Sequence, residues 1–131
     1  MKRILDDYTL VFPANDVLTR RLEKKMEISA IELKDKLDAG DCPVLLDIRE
    51  PHELAIASLD NCLHIPLGEV PRRLQELEEY KEKDIVVICR TGSRSARCTE
   101  FLISQGFLKA LNLTGGLHAW SDDVDPEVMK Y

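Results

Sequence analysis

Short aliphatic segments alternate with amphipathic helical segments from Glu27 onward, and this alternation restricts the fold more than any other feature of the sequence. Continuous aliphatic runs predict strands at residues 44–46, ending at Asp47, and at residues 84–88, ending at Cys89. Such runs suit parallel strands that are covered on both faces. A last strand is predicted at residues 110–113. The pattern is typical of the α/β class.

Two helices have recognisable ends. Ser29 and Glu32 form a capping-box pattern at the start of the first helix, and Gly40 stands where a left-handed residue would end it. A second helix is predicted from about residue 93 to residue 105, with Gly106 as its end.

The first 26 residues differ from the rest of the chain, and we interpret them as an N-terminal extension or linker before a domain at 27–131. Asn15 or Asp16 would cap a short amphipathic helix in this extension. An arm packed on the domain, or a linker from another module, is favoured over a dedicated partner-binding helix.

Composition and charge restrict the possible partners. The 131 residues are 44% hydrophobic and 32% charged, as in one folded domain. The 24 acidic against 18 basic residues give a net charge of −6, which disfavours nucleic acid and anionic membranes as partners. No apolar run approaches the roughly 20 residues of a membrane span, and the sequence lacks a secretory pattern. We expect a cytoplasmic protein.

Four cysteines stand at positions that match neither a zinc framework nor a disulfide scaffold: Cys42, Cys62, Cys89 and Cys98. We interpret them as reduced thiols. Cys42 and Cys62 are predicted in loops without activating neighbours, and Cys98 on the apolar face of the second helix as a packed thiol. The three histidines share no metal-ligand spacing, and nucleotide-binding glycine motifs are absent, so we expect neither metal nor cofactor.

A cysteine-containing segment lies between the strongest predicted strand and the following helix. It consists of Cys89, Arg90, Thr91, Gly92, Ser93, Arg94 and Ser95. A loop that enters a helix N-terminus directs backbone N–H groups at one centre and favours an anion there. Two arginines should favour the thiolate of Cys89, which would make it a nucleophile. The spacing by itself leaves sulfur transfer and phosphoryl transfer open.

The segment at 89–95 matches the C-R-x-G-x-R-S active loop of the rhodanese homology family, and the chain resembles this family from about residue 27 to residue 131. Three further motifs occur in the family's order: Val44–Glu50 with the later acid Glu53, His64–Leu67, and Leu113–Trp120. The sequence departs from the family pattern at residues 57–63.

The resemblance implies a three-layer α/β fold with a central, mostly parallel sheet of about five strands flanked by helices. It also implies a sulfurtransferase in which Cys89 carries a persulfide and residues 90–95 bind the sulfur and the anionic donor. The donor would be thiosulfate or a protein persulfide. The acceptor would be a thiol, cyanide or a sulfur-carrier protein. Asp47 and Arg49 would form a scaffold pair beneath the loop, and either Arg90 or Arg94 could bind the donor or hold the loop.

The residues leave two alternatives to this function open. Four residues separate Cys89 from Arg94, whereas related cysteine phosphatases and arsenate reductases have a longer loop, so the shorter loop favours sulfur. A non-catalytic binding module with the same fold is the other alternative. The C-terminal residues 120–131 are similar to rhodanese domains fused to MoeB/ThiF-like adenylyltransferases, which supply sulfur to carrier proteins.

Overall fold

The structure is a computed structural model that describes residues 26–131. The extension predicted for residues 1–26, with its short helix, lies outside the described residues apart from Met26. The strands are β1 (Glu27–Ile28), β2 (Val44–Asp47), β3 (Cys62–His64), β4 (Ile85–Ile88) and β5 (Ala110–Leu113). The α-helices are α1 (Ala30–Asp38), α2 (Pro51–Ile56), α3 (Ser93–Ser104) and α4 (Gly116–Asp123), and 3-10 turns occupy Leu67–Glu69 and Pro71–Tyr80.

The five strands form one sheet in the order β1-β5-β4-β2-β3, and each neighbouring pair is parallel. Strand β4 lies at the centre, with Val87 opposite Leu46 of β2 and Asn112 of β5. The predicted α/β class and five-stranded parallel sheet are therefore confirmed.

Local sequence signals explain the best-predicted elements. The Ser29 hydroxyl accepts a hydrogen bond from the Glu32 amide, and the Glu32 carboxylate accepts one from the Ser29 amide, so the capping box forms as predicted. Gly40 follows α1 with a φ of +81°, which an L side chain rarely adopts. Helix α3 ends at Ser104, one residue before the predicted end. Gly106 again has a positive φ.

Alternate side chains of the sheet pack on opposite faces and create two apolar layers. One layer lies between the sheet, α3 and the 3-10 turns, and includes Leu46, Ile65, Val70, Leu77, Ile85, Val87, Cys98, Leu102 and Phe107. The other lies between the sheet, α1 and α4, and includes Ile28, Leu33, Leu45, Val86, Ile88, Leu113, Leu117 and Trp120. The three-layer arrangement leaves the carboxyl edge of the sheet for the loops that follow β2 and β4. No helix within residues 26–131 has the length and apolarity required to cross a membrane.

The prediction that Cys62 lies in a loop is wrong. Cys62 is the first residue of β3, where it is paired with Leu45 of β2. This edge strand has three residues and only one partner strand, so it needs no continuous aliphatic run. Its position in the sheet depends on pairing with β2, which no local pattern shows.

Candidate active site

Cys89 lies at the carboxyl end of β4, as predicted, and its loop leads directly into α3. Gly92 is the residue before α3 and has a φ of +99°. A Cβ atom at this position would approach the Gly115 amide nitrogen to 3.0 Å, so a side chain would disturb the close contact between the two turns. The residue Cys89 has no solvent-exposed surface. The loop thus surrounds the sulfur atom closely.

Backbone N–H groups from the start of α3 point at the sulfur. The Gly92 amide nitrogen lies 3.1 Å from Cys89 Sγ, and the Ser95 amide nitrogen lies 3.3 Å from it. Free N–H groups at a helix N-terminus carry partial positive charge. The arrangement stabilises negative charge on the sulfur or on an atom bound to it.

A chain of buried polar side chains continues from the sulfur. The Cys89 thiol donates to Ser95 Oγ at 3.2 Å, and the Ser95 hydroxyl donates to Asn112 Oδ1. Ser95 is fully buried, and Asn112 of β5 is nearly so. Sequence reasoning did not select Asn112, although a polar residue inside the otherwise aliphatic strand 110–113 is a signal that could have identified it.

The N-terminus of α4 supports the loop from behind. The Leu117 amide donates to the Cys89 carbonyl and the His118 amide to the Arg90 carbonyl, both at 3.0 Å. A Cβ atom on Gly116 would lie 2.5 Å from these two carbonyl oxygens, so only glycine permits this approach. The turn at Gly115 and Gly116, where both residues have a positive φ, therefore brings α4 against the loop.

Arg94 forms a salt bridge within the domain, with the carboxylate of Glu53. Its two terminal guanidinium nitrogens donate to the two Glu53 carboxylate oxygens, each at 2.9 Å. These hydrogen bonds hold the pKa of Glu53 at about 2, below its ordinary value of 4.5. Arg94 thus ties the start of α3 to α2, and its charge is neutralised.

Asp47 and Arg49 form a buried pair, as the family resemblance implied. Arg49 Nη2 lies 2.8 Å from Asp47 Oδ2 and 2.7 Å from the Ala57 carbonyl oxygen. Both side chains are almost completely inaccessible to solvent. The pair links the end of β2 to the segment after α2.

Tyr131 completes the wall beside the loop, and sequence reasoning missed it. Its hydroxyl accepts from Arg49 Nη1 at 2.6 Å and donates to Glu53 Oε1 at 3.0 Å. The Arg90 guanidinium carbon lies 5.6 Å from the centroid of the Tyr131 ring. Tyr131 is 82 residues from Arg49 in the chain, and no short-range motif predicts their contact.

The sequence comparison identifies the family. The profile of the rhodanese-like domain matches residues 29–123. The chain belongs to the rhodanese-like domain family. Homologues of this rhodanese-like domain carry sulfurtransferase names, so the family is one of sulfurtransferases.

Individual relatives agree with this membership. The chain is 38% identical over 101 residues to YtwF of Bacillus subtilis, which is named as a candidate sulfurtransferase, with 77% of this chain and 95% of YtwF covered. It is 37% identical over 115 residues to the Zea mays adenylyltransferase and sulfurtransferase MOCS3-2, with 84% of this chain but only 24% of MOCS3-2 covered. The crystal structure of a rhodanese-related protein from Thermoplasma volcanium has a TM-score of 0.66 and 35% identity, with 75% of this chain and 92% of that chain covered.

Other residues of the rhodanese-like domain lie around or away from the loop. Arg90, Thr91 and Ser93 are exposed at its rim. Cys98 packs on the apolar face of α3 as predicted, and burial raises its pKa to about 12. Burial also raises the pKa of Cys62 to about 12. Cys42 is exposed.

Proposed function

We propose that this rhodanese-like domain transfers sulfane sulfur through a persulfide on Cys89. The observation that carries the proposal is the pair of amides, from Gly92 and Ser95, that point at Cys89 Sγ. The same amides would bind the negative charge of a persulfide, as an oxyanion hole binds oxygen. Two ion pairs, Asp47–Arg49 and Glu53–Arg94, hold the residues around the site. Within residues 26–131 no carboxylate forms a hydrogen bond with Cys89 Sγ.

The proposed reaction has two steps. The Cys89 thiolate attacks the outer sulfur of thiosulfate, a new S–S bond forms, and sulfite leaves with the electron pair of the bond that breaks. A thiol or cyanide acceptor then attacks the outer sulfur of the persulfide and returns Cys89 as the thiolate. A covalent intermediate of this kind predicts ping-pong kinetics.

The two loop arginines have separate roles in this proposal. Arg94 is neutralised by Glu53 and holds the loop. Arg90 is exposed at the rim and is the residue we assign to binding an anionic donor. The short loop between Cys89 and Arg94 suits a sulfur atom better than a tetrahedral phosphate, which favours sulfur transfer over phosphatase activity.

We further propose that a partner protein donates the sulfur or accepts it, or that two proteins do so in turn. The donor is either thiosulfate or a protein persulfide, and a sulfur-carrier protein is a suitable acceptor because the Zea mays relative combines adenylyltransferase and sulfurtransferase in its name. Residues 27–131 would form the transferring domain and residues 1–26 an extension, in a cytoplasmic protein whose thiols stay reduced.

Intact-mass spectrometry after thiosulfate treatment tests the proposal. The wild type should gain one sulfur atom, about 32 Da, that cyanide or dithiothreitol removes. Cys89→Ser should gain none, while Cys98→Ala, which alters the other fully packed thiol, should still gain it. Absence of the adduct in the wild type, under conditions that load a known sulfurtransferase, would contradict the proposal and favour a binding module.

A further inference from the structure

The two arginines of the Cys89 loop have partners of different kinds. Arg94 gives both terminal nitrogens to Glu53. Arg90 instead lies over the Tyr131 ring at 5.6 Å, and it forms no ion pair with any carboxylate of residues 26–131. Only the second arrangement leaves a full positive charge at the rim of the site.

An aromatic ring holds a guanidinium without neutralising it. The ring brings no carboxylate to pair with the guanidinium, so the five N–H donors of the group stay available to an anion. The contact also reduces the number of conformations that a long, exposed side chain can adopt. Arg90 is therefore both restrained and still charged.

The Tyr131 ring is fixed by contacts on three sides. Its hydroxyl lies between Arg49 and Glu53, at 2.6 Å and 3.0 Å. His118 Nε2 lies 3.0 Å from the Tyr131 main-chain oxygen, and the two rings meet edge to face with centroids 6.2 Å apart. Since Arg49 is fully buried, these contacts anchor the ring to the interior of the domain.

We propose that Tyr131 positions Arg90 to bind the anionic group of the sulfur donor at the rim of the Cys89 loop, so that the preference for anionic over neutral reagents depends on the Tyr131 ring. The chemical class of ligand is a small oxyanion with a transferable or displaceable group, such as thiosulfate. The inference rests on the proposed function for the identity of the donor.

Alkylation of Cys89 tests this inference without any sulfur transfer. Iodoacetate and iodoacetamide react by the same step, in which the sulfur–carbon bond forms and iodide leaves, but only iodoacetate is an anion. The ratio of the two rates thus measures the attraction of an anion to the sulfur. The proteins carry Cys42→Ser so that the exposed thiol does not react, and intact-mass spectrometry follows the product.

Tyr131→Leu should lower the ratio of iodoacetate to iodoacetamide rates by about 2- to 5-fold, the size of an exposed cation–π contact. Arg90→Met should lower it at least as much, and the double variant should lower it no further than Arg90→Met. Tyr131→Phe keeps the ring and loses the hydroxyl, so it should keep most of the wild-type ratio.

Three results would overturn the inference. They are an unchanged ratio in Tyr131→Leu, equal losses in Tyr131→Phe and Tyr131→Leu, and additive losses in the double variant. Should Tyr131→Leu fail to fold, Tyr131→Met replaces it as the variant without a ring. A wild-type ratio in Arg90→Met would also overturn the inference, because it removes Arg90 as the anion site. The proposed function can fail separately. If the wild type takes up no sulfur but the variants lower the ratio of iodoacetate to iodoacetamide rates as expected, the proposed function is refuted and the anion site is supported.

Discussion

Cys89 and Cys98 are both buried, at 0% and 1% exposure, but the groups around the two sulfur atoms differ in kind. Two amides and a hydroxyl surround Cys89 at the carboxyl end of β4. Cys98 lies on the face of α3 that packs in the apolar layer, where burial raises its pKa to about 12. Burial without such donors raises the pKa of a thiol, and the donors directed at the Cys89 sulfur distinguish a candidate nucleophile from a packing residue.

The largest expected difference between these regions is in thiol reactivity. At about pH 8, a pKa of about 12 means that roughly one Cys98 side chain in 10,000 is a thiolate. Iodoacetamide should therefore modify Cys89 and spare Cys98 and Cys62 in a Cys42→Ser background. Peptide mapping identifies the modified residues. Modification of Cys98 as fast as Cys89 would contradict the expected difference in thiol reactivity.

The next largest effect concerns the support of the Cys89 loop. Gly116→Ala should destabilise the protein by about 2–4 kcal/mol, because the new Cβ would overlap the carbonyl oxygens of Cys89 and Arg90 at a positive φ. Gly40→Ala is the matched control, since Gly40 has a positive φ but no neighbour within 4 Å. It should cost about 1 kcal/mol. Urea unfolding measures both, and equal losses would show that the approach of α4 is unimportant.

Glu53→Gln tests the ion pair that holds the start of α3. We expect a loss of about 1–2 kcal/mol near neutral pH, since the amide cannot accept both guanidinium bonds as a carboxylate does. The folded pKa of Glu53, about 2, lies below its ordinary value of 4.5. The stabilisation is thus complete above 4.5 and disappears as the pH falls towards 2.

Urea unfolding of the wild type and Glu53→Gln across this pH range measures the difference. The gap between the two proteins should narrow steadily as the pH falls. A gap that stays constant down to pH values near 2 would mean that the carboxylate does not supply the stabilisation.

The smallest effect is expected for Cys98→Ala. Removing one buried sulfur atom should lower the free energy of unfolding by about 1 kcal/mol and leave the sulfur adduct on Cys89 unchanged. Thermal unfolding and intact-mass spectrometry measure the two properties. Loss of the adduct in a stable Cys98→Ala protein would give Cys98 a role in the chemistry.

The elements that the sequence predicted well are those with signals inside a few residues. The aliphatic runs predicted β2, β4 and β5, and the capping box predicted the start of α1. Strand β3 and the pairing of Cys62 had no such signal. Edge strands depend on their partner, so their own residues carry less information about them.

The residues of the candidate site also fall into two groups, those with a local sequence signal and those without one. The position of the Cys89 loop follows from a motif shorter than a helix, and the family resemblance implies the pairing of Asp47 with Arg49; the structure agrees with both. Glu53 was identified only as a motif residue, and its partner Arg94 lies 41 residues away. Neither loop arginine could be assigned a role until its partner was known.

The sequence by itself determined the α/β class, the family and the candidate nucleophile, because helix caps, aliphatic runs and the Cys89 loop act over a few neighbouring residues. Only the tertiary structure decided which arginine is neutralised, which ring holds the other, and that Asn112 completes the polar chain from Cys89 through Ser95. These contacts join α2, α3, β5, the loop after β4 and Tyr131, which the order of the parallel sheet and the packing of α4 bring to one edge. Such contacts depend on the folded arrangement of distant segments.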